Sequence, residues 1–340
     1  MADVLSPPPV LRLRVRDTVP EADGVLGLLL EDPWGARLPA WEPGAHLEVR
    51  LPSGRIRHYS LSGDPGDVTT YRLGVLRDPA GRGGSEEIHT SVLAGCLLEV
   101  RGPVNRFPLV PAERYAFIAG GIGITPLLPM VRAAAAGRSA WSLLYGGRTL
   151  TAMAYRDELA ALGGGNVVLA PEDTHGRLDI DSVLRGLPDT AAVYCCGPAG
   201  LIAAVESRCA ALFPARTPHV ERFTAAPDAA PDAAPDAAAL GSGSGSASGP
   251  DEGGFDVELR RSGAVLHVPP GRSLLDVVRE ALPSVPSSCE QGICGTCETK
   301  VLAGEPDHRD SVLSAAEKAA GNTMMICVGR SKGGRLVLDL

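Results

Sequence analysis

The sequence Cys289-Glu-Gln-Gly-Ile-Cys294-Gly-Thr-Cys297 places three cysteines within nine residues, and a fourth, Cys327, follows after twenty-nine more. The spacing within the stretch is C-x4-C-x2-C. The loop is polar, and its glycines, Gly292 and Gly295, leave room for backbone N–H groups to approach whatever the thiols hold. The stretch therefore predicts a thiolate site built from one loop and one distant residue.

Four thiolates at this spacing are typical of a plant-type 2Fe–2S centre. A zinc site is the alternative, but zinc is usually held by paired C-x2-C knuckles, and these four cysteines contain one such pair. Separate core cysteines would not be spaced this way on a Gly-rich polar loop. We therefore expect iron ligation by all four thiols of the set: Cys289, Cys294, Cys297 and Cys327.

The other four cysteines are scattered along the chain. A secreted disulfide scaffold would be short and evenly stocked with cysteine, so the uneven distribution favours a reducing compartment. No unbroken apolar run reaches the ~18 residues of a membrane span, and the N-terminus lacks the pattern of a signal peptide. We therefore expect a cytoplasmic protein without a membrane partner. Three cysteines are predicted to be small core residues: Cys96, Cys195 and Cys209.

Residues 225–253 differ from the rest of the chain in composition. A Pro/Ala/Asp repeat is followed by Gly241-Ser-Gly-Ser-Gly-Ser246. Because a proline recurs at every fourth position, a helix is disfavoured and a linker is predicted. The segment contains five acids and no base, so it carries most of the formal net charge of −8. The remaining parts are close to neutral, which excludes the basic surface of a nucleic-acid-binding protein.

The chain outside the linker contains parts that differ in their pattern of apolar residues. Residues 10–108 alternate short period-2 apolar runs with Pro/Gly turns, which favours an antiparallel barrel or sandwich. Residues 114–224 alternate fully apolar strands, such as Tyr115–Ala119, with helical segments, which favours a parallel sheet with crossover helices. Residues 254–340 combine a predicted hairpin with a helix that begins at Ser273. These three patterns and the length of 340 residues predict a multidomain protein.

Two motifs in the first part suit a flavin. Arg57-His58-Tyr59-Ser60-Leu61 ends a predicted strand and supplies a guanidinium for a phosphate, an aromatic side chain beside a ring and a hydroxyl for a ring nitrogen. Gly81-Arg82-Gly83-Gly84-Ser85 supplies backbone N–H groups before a helical segment. Each motif has an ordinary alternative, because Arg/Tyr strand ends and Gly-rich hairpin loops also occur without a cofactor.

Two further motifs suit a nucleotide. Gly120-Gly-Ile-Gly-Ile-Thr-Pro126 follows a buried strand and opens a helix, although it does not spell G-x-G-x-x-G. Tyr194-Cys-Cys-Gly-Pro198 ends a later strand of the same predicted sheet. Ligands of such sheets bind at the carboxyl ends of the strands, where both turns would lie. Either turn alone could serve only to reverse the chain, but together they indicate a binding edge.

In this order the motifs resemble those of the phthalate dioxygenase reductase family, which includes reductase components of vanillate demethylases. His308-Arg-Asp-Ser-Val-Leu313 is a further mark of that family. The resemblance implies an antiparallel β-barrel flavin domain, a ferredoxin-reductase-like α/β nucleotide domain with a parallel sheet, and a C-terminal α+β plant-type ferredoxin (β-grasp) domain. The expected bounds are 1–111, 112–224 and 254–340, with the linker at 225–253. The length of this linker departs from the family pattern.

The resemblance also implies FMN, NADH as electron donor and a separate terminal oxygenase as acceptor. A haem monooxygenase or a small molecule is the alternative acceptor, and a cluster-based sensor would not need the flavin and nucleotide motifs. The residues implied to hold FMN are Arg57, His58, Tyr59, Ser60, Gly74, Val75, Arg82, Gly83, Gly84 and Ser85, with Phe223 nearby. The residues implied to hold the nicotinamide nucleotide are Gly120, Gly121, Gly123, Thr125, Pro126, Cys196, Gly197 and Pro198.

Two of these residues, Ser60 and Cys196, are expected to line the hydride path; the alternative for Cys196 is a plain strand-end residue. Asp173, after the strand Val167–Leu169, is a candidate carboxylate for the ribose of NADH. A solvated loop is an equally good interpretation of Asp173. Arg148, after the preceding strand, could contact either NADH or NADPH.

Overall fold

The computed structural model describes residues 8–137, 139–214, 216–223 and 253–340, which belong to two compact units divided at Phe223. The predicted linker 225–253 lies outside the described residues except for its last glycine. Within the described ranges, no helix is both long enough and apolar enough to cross a membrane.

The first unit begins with an antiparallel sheet, as its period-2 pattern predicts. Its strands are β1 (Val10–Ala22), β2 (Val25–Glu31), β3 (Ala45–Arg50), β4 (Ile56–Ser60), β5 (Thr70–Leu76) and β6 (Leu97–Asn105). They are ordered β4-β3-β6-β1-β2-β5. A bridge between Leu61 and Leu73 links the two outer strands, so the sheet closes into a barrel around a core of leucine and valine side chains. Helix α1 (Gly84–Ser91) lies between β5 and β6 in the chain.

The second sheet of this unit is parallel. Its strands are β7 (Arg114–Gly120), β8 (Ala140–Gly147), β9 (Val167–Pro171), β10 (Ala192–Cys196) and β11 (His219–Glu221). Its helices are α2 (Ile124–Ala136), α3 (Arg156–Gly163), α4 (Glu172–His175), α5 (Ile180–Leu184) and α6 (Ala199–Leu212). The strand order is β11-β10-β7-β8-β9. Successive strands are added on one side of β7 up to β9 and then on its other side from β10, so the switch point lies between β7 and β10. Ligands of open parallel sheets bind at such a switch point, at the carboxyl ends of the strands.

The second unit has a mixed sheet with a helix packed on it. Its strands are β12 (Phe255–Leu259), β13 (Ala264–Val268), β14 (Glu298–Ala303), β15 (Pro306–Asp307), β16 (Thr323–Met325), β17 (Arg330–Ser331) and β18 (Arg335–Leu338). Its helices are α7 (Leu274–Ala281) and α8 (Ala315–Ala320). The main sheet is ordered β13-β12-β18-β14-β16. Ser273 caps α7 by accepting a hydrogen bond from the Asp276 backbone N–H, as the sequence predicts.

The cysteines outside the loop differ from one another in burial. Cys195 and Cys209 are fully buried in the core around β10 and α6, which confirms the prediction for both. The prediction holds only in part for Cys96, which is partly buried and packs against the barrel core. Cys96 lies in the turn before β6, and its thiol donates to the carbonyl oxygen of Ser91.

Candidate functional site

The two Gly-rich turns of the parallel sheet meet at its switch point. A Cβ atom on Gly123 would lie 2.2 Å from the carbonyl oxygen of Cys196, and a Cβ on Gly120 would lie 2.7 Å from Cδ of Pro198. A Cβ on Gly197 would in turn lie 3.0 Å from Cα of Gly120. Only glycine permits this approach, so the two turns form one continuous surface at the carboxyl ends of β7 and β10.

The barrel places Ser60 against the same edge. Ser60 ends β4, is 4% exposed, and its Oγ donates to Oε2 of Glu221 at 3.5 Å. Glu221 ends β11 and pairs in register with Cys196, the last residue of β10. The two residues expected on the hydride path, Ser60 and Cys196, therefore lie beside a common carboxyl group. Sequence reasoning missed Glu221, because the implied role in that segment went to Phe223.

Burial sets the charge of this group of side chains. Desolvation raises the pKa of Glu221 to about 8, against the opposing effect of the hydrogen bond from Ser60. Burial, reinforced by the neighbouring Glu221, also holds the pKa of the Cys196 thiol well above its ordinary value. Carboxyl and thiol are therefore largely protonated at neutral pH, and Cys196 is not a thiolate nucleophile.

The side predicted for flavin and the side predicted for nicotinamide are in contact. Thr125, in the first turn of α2, is 2% exposed, and its Cγ2 would lie 2.9 Å from a Cβ on Gly74 of β5. The neighbouring Val75 is also buried. Pro126 lies in the first turn of α2 as predicted, although the helix begins two residues earlier, at Ile124.

The second predicted flavin motif forms a cradle beside β4. Gly83 has φ 74° and is the N-cap of α1, which has no side-chain cap. The Arg57 guanidinium donates to the carbonyl oxygen of Arg82 at 2.7 Å, and a Cβ on Gly84 would lie 2.5 Å from its Nε. Burial and the neighbouring Arg82 lower the pKa of Arg57. Backbone N–H groups at a helix start beside crowded guanidinium groups fit a phosphate.

The remaining predicted flavin residues lie on or near this cradle. Ser85 fastens the loop, since its Oγ accepts from the Asp78 backbone N–H at 3.0 Å. Tyr59 is partly buried, and desolvation raises the pKa of its phenol. The His58 ring lies 5.3 Å from that of His46, and Phe223 is a partly buried residue packed against the core of the parallel sheet.

The two residues considered for donor choice are neighbours at the edge of the sheet. The Asp173 backbone N–H donates to the carbonyl oxygen of Arg148 at 3.1 Å. Both residues are exposed, with Asp173 on the single-turn helix α4. Their backbones are thus together, and a role of either side chain in donor choice stays a prediction.

We expect the stability advantage of the wild-type chain over Glu221→Gln to shrink as the pH rises from about 6 to about 8. Glu221 titrates near 8 in the fold against an ordinary 4.5, so the folded state retains a proton that the unfolded chain releases. This contribution is complete below pH 4.5 and is lost as the pH rises through 8. At about 1.4 kcal/mol per pH unit, the loss over this interval is about 2–3 kcal/mol.

The measurement is the thermal unfolding of both proteins by circular dichroism across that pH range. Glu99→Gln, which alters an exposed acid paired with Arg50 on the barrel surface, is the control. Parallel pH profiles for wild type and Glu221→Gln would contradict the assignment.

The four thiols predicted to bind iron come together in two pairs. All four are 3–7% exposed. The thiols of each pair are close enough to shift each other's pKa: Cys294 raises the pKa of Cys289, and Cys297 raises that of Cys327. No three Cys, His, Asp or Glu side chains in the described ranges are grouped as they would be around a single ion. Two thiols for each of two irons is the arrangement that a 2Fe–2S cluster with four cysteine ligands requires.

Backbone N–H groups point at these sulfurs, as the glycines of the loop predict. The Gln291 N–H lies 3.3 Å from Sγ of Cys289, and the Thr296 N–H lies 3.5 Å from Sγ of Cys294. Gly292 and Gly295 both have positive φ, at 68° and 72°. The loop therefore fits a sulfur-rich centre, and N–H groups aimed at sulfur are one determinant of its potential.

The family mark His308–Leu313 braces the cysteine loop. The Ser311 N–H donates to the Gly292 carbonyl at 2.9 Å, and a Cβ on Gly292 would lie 3.0 Å from Cα of Asp310. The buried carboxylate of Asp310 accepts from the backbone N–H groups of Val312 and Leu313. The segment 308–313 therefore holds the cysteine loop in place through contacts with Gly292, although it contains no cysteine.

Comparison with known proteins agrees with this geometry. Two family models match: a 2Fe-2S iron-sulfur cluster binding domain over residues 257–332 and an oxidoreductase NAD-binding domain over residues 117–207. Phenoxybenzoate dioxygenase subunit beta of Ectopseudomonas oleovorans is 42% identical over 96% of this chain and 97% of its own length. The solved structure of phthalate dioxygenase reductase is 38% identical, with a TM-score of 0.69, and the match covers 97% of this chain and 98% of that one.

A type IV self-sufficient cytochrome P450 monooxygenase also matches, with 39% identity and a TM-score of 0.83. The match covers 100% of this chain but only 43% of that larger protein. The similarity therefore concerns one part of the P450 polypeptide.

Barrel, parallel sheet and cysteine loop together define an iron–sulfur flavoprotein oxidoreductase that uses a pyridine nucleotide. The chain belongs to the phthalate dioxygenase reductase family. Its cofactors are FMN, NADH and a 2Fe–2S cluster, which confirms the prediction of cofactors and of fold class.

Proposed function

We propose that this chain is an NADH-dependent reductase that passes electrons through FMN and a 2Fe–2S cluster to a separate oxygenase. The observation that carries the proposal is the contact between the two halves of the first unit. Gly74 of the barrel lies against Thr125 of α2. Ser60 of the barrel donates to Glu221, which pairs in register with Cys196 at the switch point. A donor and an acceptor bound on the two sides would face each other there.

The residues of the chain have separate roles in this proposal. Arg57, Arg82, Gly83, Gly84 and Ser85 hold the FMN phosphate, and Ser60 orients the ring through its hydroxyl. When bound, FMN supplies the conversion of a two-electron hydride donor into single electrons for the cluster. Thr125 and the Cys196–Pro198 turn hold the nicotinamide, and the protonated Cys196 and Glu221 place no negative charge at this edge at pH 7. Cys289, Cys294, Cys297 and Cys327 ligate the cluster.

The names of the relatives support an oxygenase as acceptor. Phenoxybenzoate dioxygenase subunit beta and phthalate dioxygenase reductase are both named for dioxygenase systems, and each matches nearly the full length of this chain. A haem monooxygenase is the second candidate, because the matching P450 carries the similar reductase portion within one polypeptide.

The acceptor is tested with purified chain, NADH and three acceptors in parallel: a phthalate-type non-haem oxygenase, a P450 without its own reductase, and a benzoquinone. We expect NADH-coupled product formation with the non-haem oxygenase at least tenfold faster than with the P450. The opposite ranking would favour the haem partner. Rapid reduction of the quinone alone would overturn the proposal of a protein acceptor.

A further inference from the structure

Two arginines share one carboxylate where the barrel half of the first unit meets the sheet half. Arg72 lies on β5, Arg132 on α2 and Glu158 on α3. The Arg72 Nη2 lies 2.9 Å from Oε2 of Glu158, and the Arg132 guanidinium pairs with its other oxygen. The three side chains are only 19–26% exposed, so solvent screens this ion pair less than a fully exposed one.

The same arginines hold the backbone that follows Ser60. Arg72 donates to the carbonyl oxygen of Ser62 at 2.7 Å, and Arg132 donates to the same oxygen at 3.3 Å and to that of Gly63. Helix α2 is therefore hydrogen-bonded to the backbone two and three residues beyond Ser60. Because α2 also carries Thr125 in its first turn, a single helix connects the two sides of the site.

Tyr155 fills the space between these groups. It is a non-glycine residue with φ 62°, and it is 5% exposed. The Arg72 guanidinium lies 4.7 Å from the centre of its ring, and its hydroxyl lies 3.4 Å from Oγ of Ser62. A Cβ on Gly74 would lie 2.3 Å from that hydroxyl, so the absence of a side chain on β5 accommodates it. A bulky residue keeps a left-handed backbone only where its surroundings determine it.

We propose that Arg72, Glu158 and Arg132, packed around Tyr155, form a positioning network for hydride transfer. The inference rests on the proposed function. In that reaction NADH loses a hydride, two electrons and one proton together, and becomes NAD⁺, while the flavin gains the hydride. None of the network residues takes part in this exchange. They fix the nicotinamide side against the flavin side, through α2 and the backbone that follows Ser60.

The expected effect follows from the distance dependence of such reactions. Reacting atoms must approach to ~3–3.5 Å, and a displacement of ~1 Å lowers the rate by about a hundredfold. Loss of the shared carboxylate leaves two neighbouring guanidinium groups without their common partner, so the two halves separate slightly. The rate of reduction should then fall, whereas the contacts that bind the nucleotide remain within the sheet half.

The test compares Glu158→Gln with wild type in anaerobic stopped-flow experiments on the full chain loaded with FMN and cluster. We expect the limiting rate of flavin reduction at saturating NADH to fall about 10- to 100-fold, with the Kd for NADH within about threefold of the wild-type value. The kinetic isotope effect with NADH deuterated at the transferred position should rise. A residue that serves stability alone would leave the rate and the isotope effect of the folded protein unchanged.

Asp181→Asn is the matched control. Asp181 also accepts from two arginines, Arg185 and Arg208, but all three lie in the sheet half. We expect wild-type reduction rates for it. Arg132→Lys provides a second route should Glu158→Gln fail to fold, since it keeps the charge but cannot span Glu158 and Gly63 together.

An unchanged limiting rate in Glu158→Gln, or an equal loss in Asp181→Asn, would overturn the positioning network. A loss confined to the Kd for NADH would assign Glu158 to nucleotide binding and would overturn it as well. Failure of NADH to reduce the flavin of the wild-type chain would instead overturn the proposed function, so the two failures are distinguishable.

Discussion

Cys294→Ser is expected to lower NADH-driven reduction of a one-electron protein acceptor at least about a hundredfold while NADH still bleaches the flavin at the wild-type rate. Cys294 is 7% exposed, and in the proposed cluster site it shares one iron with Cys289, so its loss would remove half of the protein ligands of that iron. The flavin and nucleotide motifs lie in the other compact unit, which contains none of the four cysteines predicted to bind iron. The substitution should therefore impair electron delivery to the acceptor without slowing flavin reduction by NADH.

Cytochrome c reduction measures delivery, and absorbance at the flavin maximum measures reduction. Cys96→Ser is the matched control, because Cys96 is a half-buried cysteine beside the barrel. It should retain about two irons per chain and full delivery, whereas Cys294→Ser should lose both. If Cys294→Ser also abolished bleaching of the flavin, the proposed order of carriers would be wrong.

Gly123→Ala is expected to weaken NADH binding at least tenfold and to destabilise the first unit by about 2–4 kcal/mol. Gly123 has φ −61°, which any residue adopts, so the effect is purely steric. The added Cβ would lie 2.2 Å from the carbonyl oxygen of Cys196 and 2.7 Å from the backbone nitrogen of Gly197. Because these are backbone atoms at the end of a central strand, the two turns must move apart.

The Kd for NADH and the thermal unfolding midpoint are the measurements for this variant. Gly186→Ala, in the same half, is the control, because a Cβ there would meet nothing within 4 Å. We expect it to leave both quantities close to wild type. Equal effects of the two substitutions would show that NADH binding does not depend on the close contact between the two turns.

The parts that could be predicted from the sequence are those whose cause is local. The spacing of Cys289–Cys297 predicts the loop, and its glycines do take the left-handed backbone that a tight wrap requires. The turns at Gly120 and Cys196 follow apolar strands of one sheet, and parallel strands bring their carboxyl ends to one edge. Local pattern and sheet topology together were therefore sufficient to predict that these two turns lie side by side.

The parts that could not be predicted depend on contacts between distant residues. Ser60 and Glu221 are 161 positions apart, and nothing in the strand end His219–Glu221 marks its acid as a partner of a hydroxyl in the barrel. Arg72 and Glu158 likewise look like ordinary charged residues of a strand and a helix. Their roles depend on how two independently patterned sheets dock, which neither pattern encodes.

The most direct test of the account is an anaerobic titration of the purified chain with NADH, followed at the absorbance bands of flavin and cluster. Two electrons for FMN and one for the cluster require about 1.5 equivalents of NADH per chain for complete bleaching of both bands. In Cys294→Ser the flavin band should bleach with about one equivalent. A wild-type cluster band that stays oxidised after the flavin band has bleached, or no bleaching of either band by NADH, would contradict the account.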